Sequence, residues 1–138
     1  MTQIQLYEPN SIPDGWHNVT APGGYEWWYF DAEDRLHDRQ IVVILLHGFV
    51  FHPGYLRAYD AFVRRPTAHA PPIPGDFPCA YFVVYERGRI AHQFMLRYNA
   101  ADFHAEREKL SVAIGANHAI ADGGKIHLKL RGSPWKLT

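Results

Sequence analysis

The segment Gly24-Tyr25-Glu26-Trp27-Trp28-Tyr29-Phe30-Asp31 sets two carboxylates among five aromatic side chains. So much apolar surface is costly to leave in water, so the run is expected to face a core or a ligand. As a strand its side chains alternate, with Tyr25, Trp27 and Tyr29 on one face and Glu26, Trp28 and Phe30 on the other. If the second face lines an apolar cavity, Glu26 is a carboxyl group in a low dielectric, a setting suited to general acid chemistry. The Trp28 indole beside it would stabilise a developing cation through its π face. Asp31, at the end of the run, is the second candidate acid. The competing reading makes the aromatics a core and pairs Glu26 with an arginine, and the residues alone leave both open.

Other constellations are weaker. His92 stands alone between Ile90 and Phe94 on an apolar face, as a hydrogen-bonded core residue or as a ligand contact. His47 and His52 fall five apart on one expected strand, on opposite sides, and no HxH or HExxH spacing occurs, so no metal is expected. The glycine pairs Gly23-Gly24 and Gly123-Gly124 lack the spacing of a phosphate-binding loop, and no GxSxG is present. No cofactor is therefore expected. Asn117 suits a turn or a ligand contact equally. The single cysteine, Cys79, excludes an internal disulfide, and after Pro78 it reads as a small buried residue.

Composition narrows the classes. The 138 residues fit one domain, and 47% hydrophobic with 20% charged residues excludes wholesale disorder. Fourteen basic side chains balance fourteen acidic ones, without the basic surplus that nucleic-acid binding needs. The aromatic share is high at 14%. The N-terminal residues carry neither the basic patch nor the apolar run of a secretory signal, and the apolar stretch Ile41 to Leu46 is too short to span a membrane. A cytoplasmic location is expected.

The elements that must position these residues read mostly as strands. Tyr25 to Asp31 is the first; Ile41 to Phe51 follows, apolar on both faces, as for a strand between a core and a greasy lumen or second layer. Tyr55 to Arg64 is expected to continue the sheet after a Pro53-Gly54 turn. Cys79 to Glu86 and Arg89 to Tyr98 form a hairpin through Arg87-Gly88, and Lys125 to Arg131 follows an Asp122-Gly123-Gly124 turn. Residues 101–111 allow a helix in their first half, with strand from about Lys109 onward. Residues 8–24 read as an irregular leader, and 65–78, with five prolines, as a long surface loop of the kind that borders binding sites. The expected class is all-β, with seven or eight antiparallel strands curling into a barrel over residues 25–138. The ending Ser133-Pro134-Trp135-Lys136-Leu137-Thr138 follows a strand without a closing element, so either the barrel closes with what is present or the chain is the front part of a longer protein.

GYEWWYFDA, then FPCAYFVVYERGRI, then LSVAIGANHAI and the DGG turn together resemble the carotenoid 1,2-hydratase (hydroxyneurosporene synthase) family. More broadly they are similar to lipocalin-like proteins sharing a Glu-Trp-Trp-Tyr signature. The resemblance runs in order from about Gly24 to Leu130. It implies a lipocalin-like barrel, normally one of two in tandem, with a second barrel as partner. It also implies acid-catalysed hydration of a terminal alkene on a hydrophobic polyene or isoprenoid without a cofactor. Glu26 and Asp31 are then the candidate acids, and Trp28, Phe30, His92 and Asn117 the candidate ligand contacts. A carotenoid substrate would come from a membrane, so the reading allows peripheral contact with the inner membrane. Two other readings stand beside it: a barrel that binds a lipophilic molecule without transforming it, and a structural half whose partner barrel carries the function.

Overall fold

A computed structural model describes residues 14–132. The expectations for residues 8–13, for the N-terminal address and for the ending after Gly132 fall outside them. Among the described residues the chain forms eight strands and one α-helix: β1 (Glu26–Asp34), β2 (Arg39–His47), α1 (Pro53–Arg64), β3 (Cys79–Glu86), β4 (Arg89–Arg97), β5 (Phe103–Ala105), β6 (Ser111–Ile114), β7 (Asn117–Asp122) and β8 (Lys125–Lys129). Short 3₁₀ turns occupy Pro74–Asp76 and Ala100–Asp102.

The strands make two antiparallel four-stranded meanders, β1-β2-β3-β4 and β5-β6-β7-β8. The all-β class stands, although neither sheet closes into a barrel among the described residues. The inner faces of the two sheets share one core. The first contributes Trp28, Val43, Leu45, Ala80 and Phe82, and the second Val112, Ile114 and Ala119, with Leu110 just before β6. Alternation puts these residues together, because Trp28 pairs with Leu45 and Leu45 with Ala80 across the ladder, and Val112 with Ala119.

Turn chemistry sets the register. Arg87 and Gly88 both take positive φ, as do Gly123 and Gly124, which is the backbone a two-residue hairpin needs. Both hairpins therefore stand where the sequence places them, pairing Glu86 with Arg89 and Asp122 with Lys125. The β6–β7 hairpin uses Gly115 at φ 58, where the Tyr98 ring lies too close to admit a Cβ.

Two expectations are corrected, and one segment left open is decided. Tyr55 to Arg64 is helical, not a strand. His52 caps it by accepting from the Gly54 amide at 2.9 Å, Pro53 opens it, and Tyr55 stacks on Tyr59 one turn later. The second strand ends at His47 rather than Phe51, because Gly48 takes φ 103 and turns the chain out of the sheet. His47 and His52 thus belong to different elements. The first half of 101–111 is no α-helix; Asn99 and Asp102 cap a single 3₁₀ turn reciprocally before β5 begins.

Candidate functional site

The two faces of β1 divide as alternation requires. Trp28 is 5% exposed and its Nε1–H donates to the Asp14 carbonyl at 2.8 Å, while Trp27 is 54% exposed. Phe30, half-buried on the Trp28 face, packs against the shared core. Each face carries a different chemical feature.

On the inner face Glu26 pairs across the ladder with His47. Its side chain is 10% exposed, and its Oε1 accepts from both the His17 amide and the His17 Nδ1, each at 2.8 Å. Its Oε2 is buried without a hydrogen-bond partner, an arrangement that proteins rarely leave in place. The side-chain partner is a histidine, not the arginine that the competing sequence reading assigned. His47 is buried among aromatic rings: Phe103 lies 4.4 Å away, Trp16 meets it edge-on at 5.5 Å, and the Trp16 Nε1–H makes a long 3.5 Å contact to Nδ1. Burial holds the His47 imidazole below its ordinary value, against the opposing pull of the Glu26 charge. Gly75 of the proline-rich loop sits so close that a Cβ there would lie 2.7 Å from His47 Nε2. The inner face therefore holds a carboxylate with one unpartnered oxygen next to a buried imidazole that is ringed by Trp16 and Phe103.

On the outer face the rows Trp27–Leu46 and Tyr29–Ile44–Tyr81–Met95 run across β1 to β4. Above them the segment after Gly48 doubles back. The Phe49 amide donates to the Phe77 carbonyl at 2.8 Å and the His52 amide to the Phe49 carbonyl at 2.9 Å. The result is a groove of about 440 Å³ whose lining includes Tyr25, Trp27, Ile44, Leu46, Phe51 and Met95, with no charged side chain. That volume falls within the range of small-molecule sites.

The other sequence-derived candidates are dispersed. Asp31 is exposed and, five residues along β1, projects from the face opposite Glu26, so the two carboxylates do not meet. His92 is exposed and lies against Phe94 at 6.2 Å; an irregularity in the β3–β4 register beside it takes the strand end off the core. Asn117 is fully buried and saturated: its Nδ2 donates to Tyr98 Oη at 2.9 Å and the Ile114 carbonyl at 3.1 Å, and its Oδ1 accepts from the Arg131 amide at 2.7 Å. The sequence reading did not bring His17, His47, Trp16 and Phe103 together with Glu26, since they come from three separate stretches, 16–17, 47 and 103, without a shared spacing. The groove had one signal, the two-faced apolarity of residues 41–51.

The fold and site together define a two-sheet, mostly β domain with a buried carboxylate on one face of a strand and an apolar groove on the other. No family model matches the chain, and no solved structure matches it. Among curated proteins it is similar to a hydroxyneurosporene dehydrogenase of Chlorobaculum tepidum, with 34% identity over 113 residues. The match covers 82% of this chain and 29% of that protein, so the chain spans less than a third of the relative's length. Among the described residues no helix is long and apolar enough to cross a membrane.

Proposed function

We propose that this chain is a lipocalin-like module of a carotenoid-biosynthesis protein and that its reaction is hydration of a terminal alkene on an acyclic carotenoid. The likeness to a protein named for hydroxyneurosporene supports the carotenoid class; that name specifies a dehydrogenase, and the hydration rests instead on the family resemblance of the Glu-Trp-Trp-Tyr strand and on Glu26. The observation that carries it is the bare, buried Oε2 of Glu26 among aromatic side chains. In the proposed step Glu26, protonated, gives its proton to the terminal alkene carbon. The tertiary cation left on the neighbouring carbon is captured by water, and the water's surplus proton returns to the carboxylate. Trp28 and Phe30 supply the apolar and π-rich wall. Asp31, His92 and Asn117 have subordinate places in this reading: Asp31 and His92 as contacts at the edge of the sheet, and Asn117 as the residue that fixes the second sheet.

In the same proposal the two meanders form a lipocalin-like barrel wall completed by a second barrel, and the substrate is drawn from a membrane surface. A second reading, a carrier that holds a lipophilic molecule without transforming it, is favoured by the uncharged groove.

The test is Glu26→Gln in the protein supplied with an acyclic carotenoid, with product followed by chromatography and binding by tryptophan quenching. The expected result is turnover reduced by about a hundredfold or more with binding retained, as for loss of an acid catalyst. Unchanged turnover removes Glu26 from the reaction. Binding with no hydrated product in the unsubstituted protein establishes the carrier reading instead.

A further inference from the structure

We infer that His17 is the positioning residue of Glu26: it fixes Oε2 as the oxygen that carries the acid proton and steadies the charge that grows on Oε1 as that proton leaves. This rests on the hydration reading above and deepens it.

The two oxygens of Glu26 stand in opposite surroundings. Oε1 meets two groups of one residue, the His17 amide and the His17 Nδ1, each at 2.8 Å. Oε2 is buried and has no partner among the described residues. A backbone N–H can only donate, so Oε1 is already an acceptor. With the ring proton on Nδ1, donors take both approaches to Oε1, and an acid proton there would set hydrogen against hydrogen. The proton then resides on Oε2, the oxygen free to hand it on. In the proposed step the O–H bond of Oε2 breaks as the C–H bond to the alkene forms, which leaves the O–H electron pair on the carboxylate. That charge is shared with Oε1, where two N–H groups already aimed at it stabilise it, and hydrogen bonds to a charged acceptor are roughly twice as strong as neutral ones. The surplus proton of the captured water then closes the cycle on Oε2.

His47 does not fill this role. It pairs with Glu26 across the ladder, but its Nδ1 meets the Trp16 indole at 3.5 Å and its Nε2 faces Gly75. His17 is carried instead by a strap, residues 14–18, tied to both sheets. The Asp14 carbonyl accepts from the Trp28 indole of β1 at 2.8 Å, and the Trp16 amide donates to the Glu106 carbonyl beyond β5 at 2.9 Å. The Trp16 ring packs on Phe103 at 5.6 Å, with the Arg107 guanidinium over it at 5.6 Å. Asp14 and Asn18 take φ of 63 and 55 at the two ends, a conformation uncommon outside glycine that persists where surrounding contacts over-determine it. The His17 side chain is 57% exposed and that of Glu26 10%, so the ring can be exchanged without emptying the core.

The test uses the protein with an acyclic carotenoid and has two readouts. Long-range proton–nitrogen NMR spectra of the histidine rings, at about pH 8 where an ordinary imidazole is neutral, are expected to show the His17 proton on Nδ1. Glu26→Ala should remove that preference. In turnover, His17→Ala keeps the amide bond and loses the ring; kcat should fall by about tenfold with KM unchanged, the scale of one hydrogen bond to a developing charge. His17→Asn, whose side-chain amide presents an N–H in the place of Nδ1, should keep kcat within about threefold. Imidazole added to His17→Ala should recover part of the loss, because the vacated site opens to water. The Trp28 indole proton, tied to Asp14, reports whether the strap has moved, and if it has, His17→Asn and the ring proton decide.

A His17 proton on Nε2 would overturn the proposal, because Nδ1 would then accept and Oε1 would carry the acid proton. So would an unchanged kcat in His17→Ala, which leaves Glu26 and the hydration reading in place. Equal losses in His17→Ala and His17→Asn with raised KM would mark a structural role and overturn it as well. Absence of hydrated product from the unsubstituted protein, with the ring proton on Nδ1, would end the hydration reading and take this role with it, so the nitrogen spectrum separates the two failures.

Discussion

At position 28 the indole is enclosed by both sheets and anchored to the Asp14 carbonyl; one residue earlier the same side chain faces outward. Trp28→Ala is therefore expected to cost about 3–5 kcal/mol, and Trp27→Ala less than about 1 kcal/mol, in urea unfolding. Equal losses would mean that the strand faces are misassigned. His47 gives the pH dependence at this scale. Its folded-state value lies below the ordinary 6.5, chiefly through burial, so the unfolded chain takes up the proton more readily. Stability should fall as pH drops from about 6.5 toward the folded-state value. His52 is displaced in the same direction, by burial first and then by Arg97 and Arg57, so part of the slope belongs to it. His47→Gln should flatten the stability–pH curve in that window and His52→Asn should flatten it less. The alternation that separates Trp27 from Trp28 was legible in the sequence. The Glu26 partner was not, because His17 reaches it through an irregular segment whose path no periodicity encodes.

At the scale of elements, the hairpins were readable and the helix was not. Arg87-Gly88 and Gly123-Gly124 demand positive φ wherever they occur, so the turn is fixed before any tertiary contact forms. Residues 53–64 carry apolar side chains compatible with either period. What decides them is the cap: His52 Nδ1 on the Gly54 amide, and Tyr55 fastened by its Oη accepting from the Gly23 amide at 2.6 Å. Asn117 acts at this scale as well, since it joins the β6–β7 turn, Tyr98 and the chain beyond β8. Asn117→Ala leaves the Arg131 amide without its partner and should cost about 2–3 kcal/mol by denaturant unfolding. Asn117→Asp, which keeps the acceptor but loses the donors, should also destabilise. A neutral outcome for the alanine would show that water replaces the side chain there.

For the whole molecule, Cys79 reports on opening of the first sheet. The thiol is fully buried where β3 begins, and burial pushes it up to about 11 from 9.0. Native protein should react with a thiol reagent at neutral pH only as fast as the sheet opens, and denaturant should make the reaction immediate. Rapid native labelling would mean that β3 and β4 separate without global unfolding. The barrel expectation also belongs to this scale. A strand-rich antiparallel chain follows from local pattern, but closure depends on which edges meet, and among the described residues two meanders face each other across one core.

Alternation and turn chemistry alone settle the β-rich class, the positions of two hairpins and the opposed faces of the aromatic strand. Each follows from neighbours a few residues apart, through side-chain alternation or the backbone demands of a turn. The packing of the two sheets is what makes the Trp28 face closed core, sets Glu26 on His17 beside His47, and leaves the open apolar surface behind Trp27. Those outcomes depend on contacts that no period links, nine residues apart for His17 and Glu26 and tens of residues apart for the two sheets, and local pattern carries no information about which segment covers a given face.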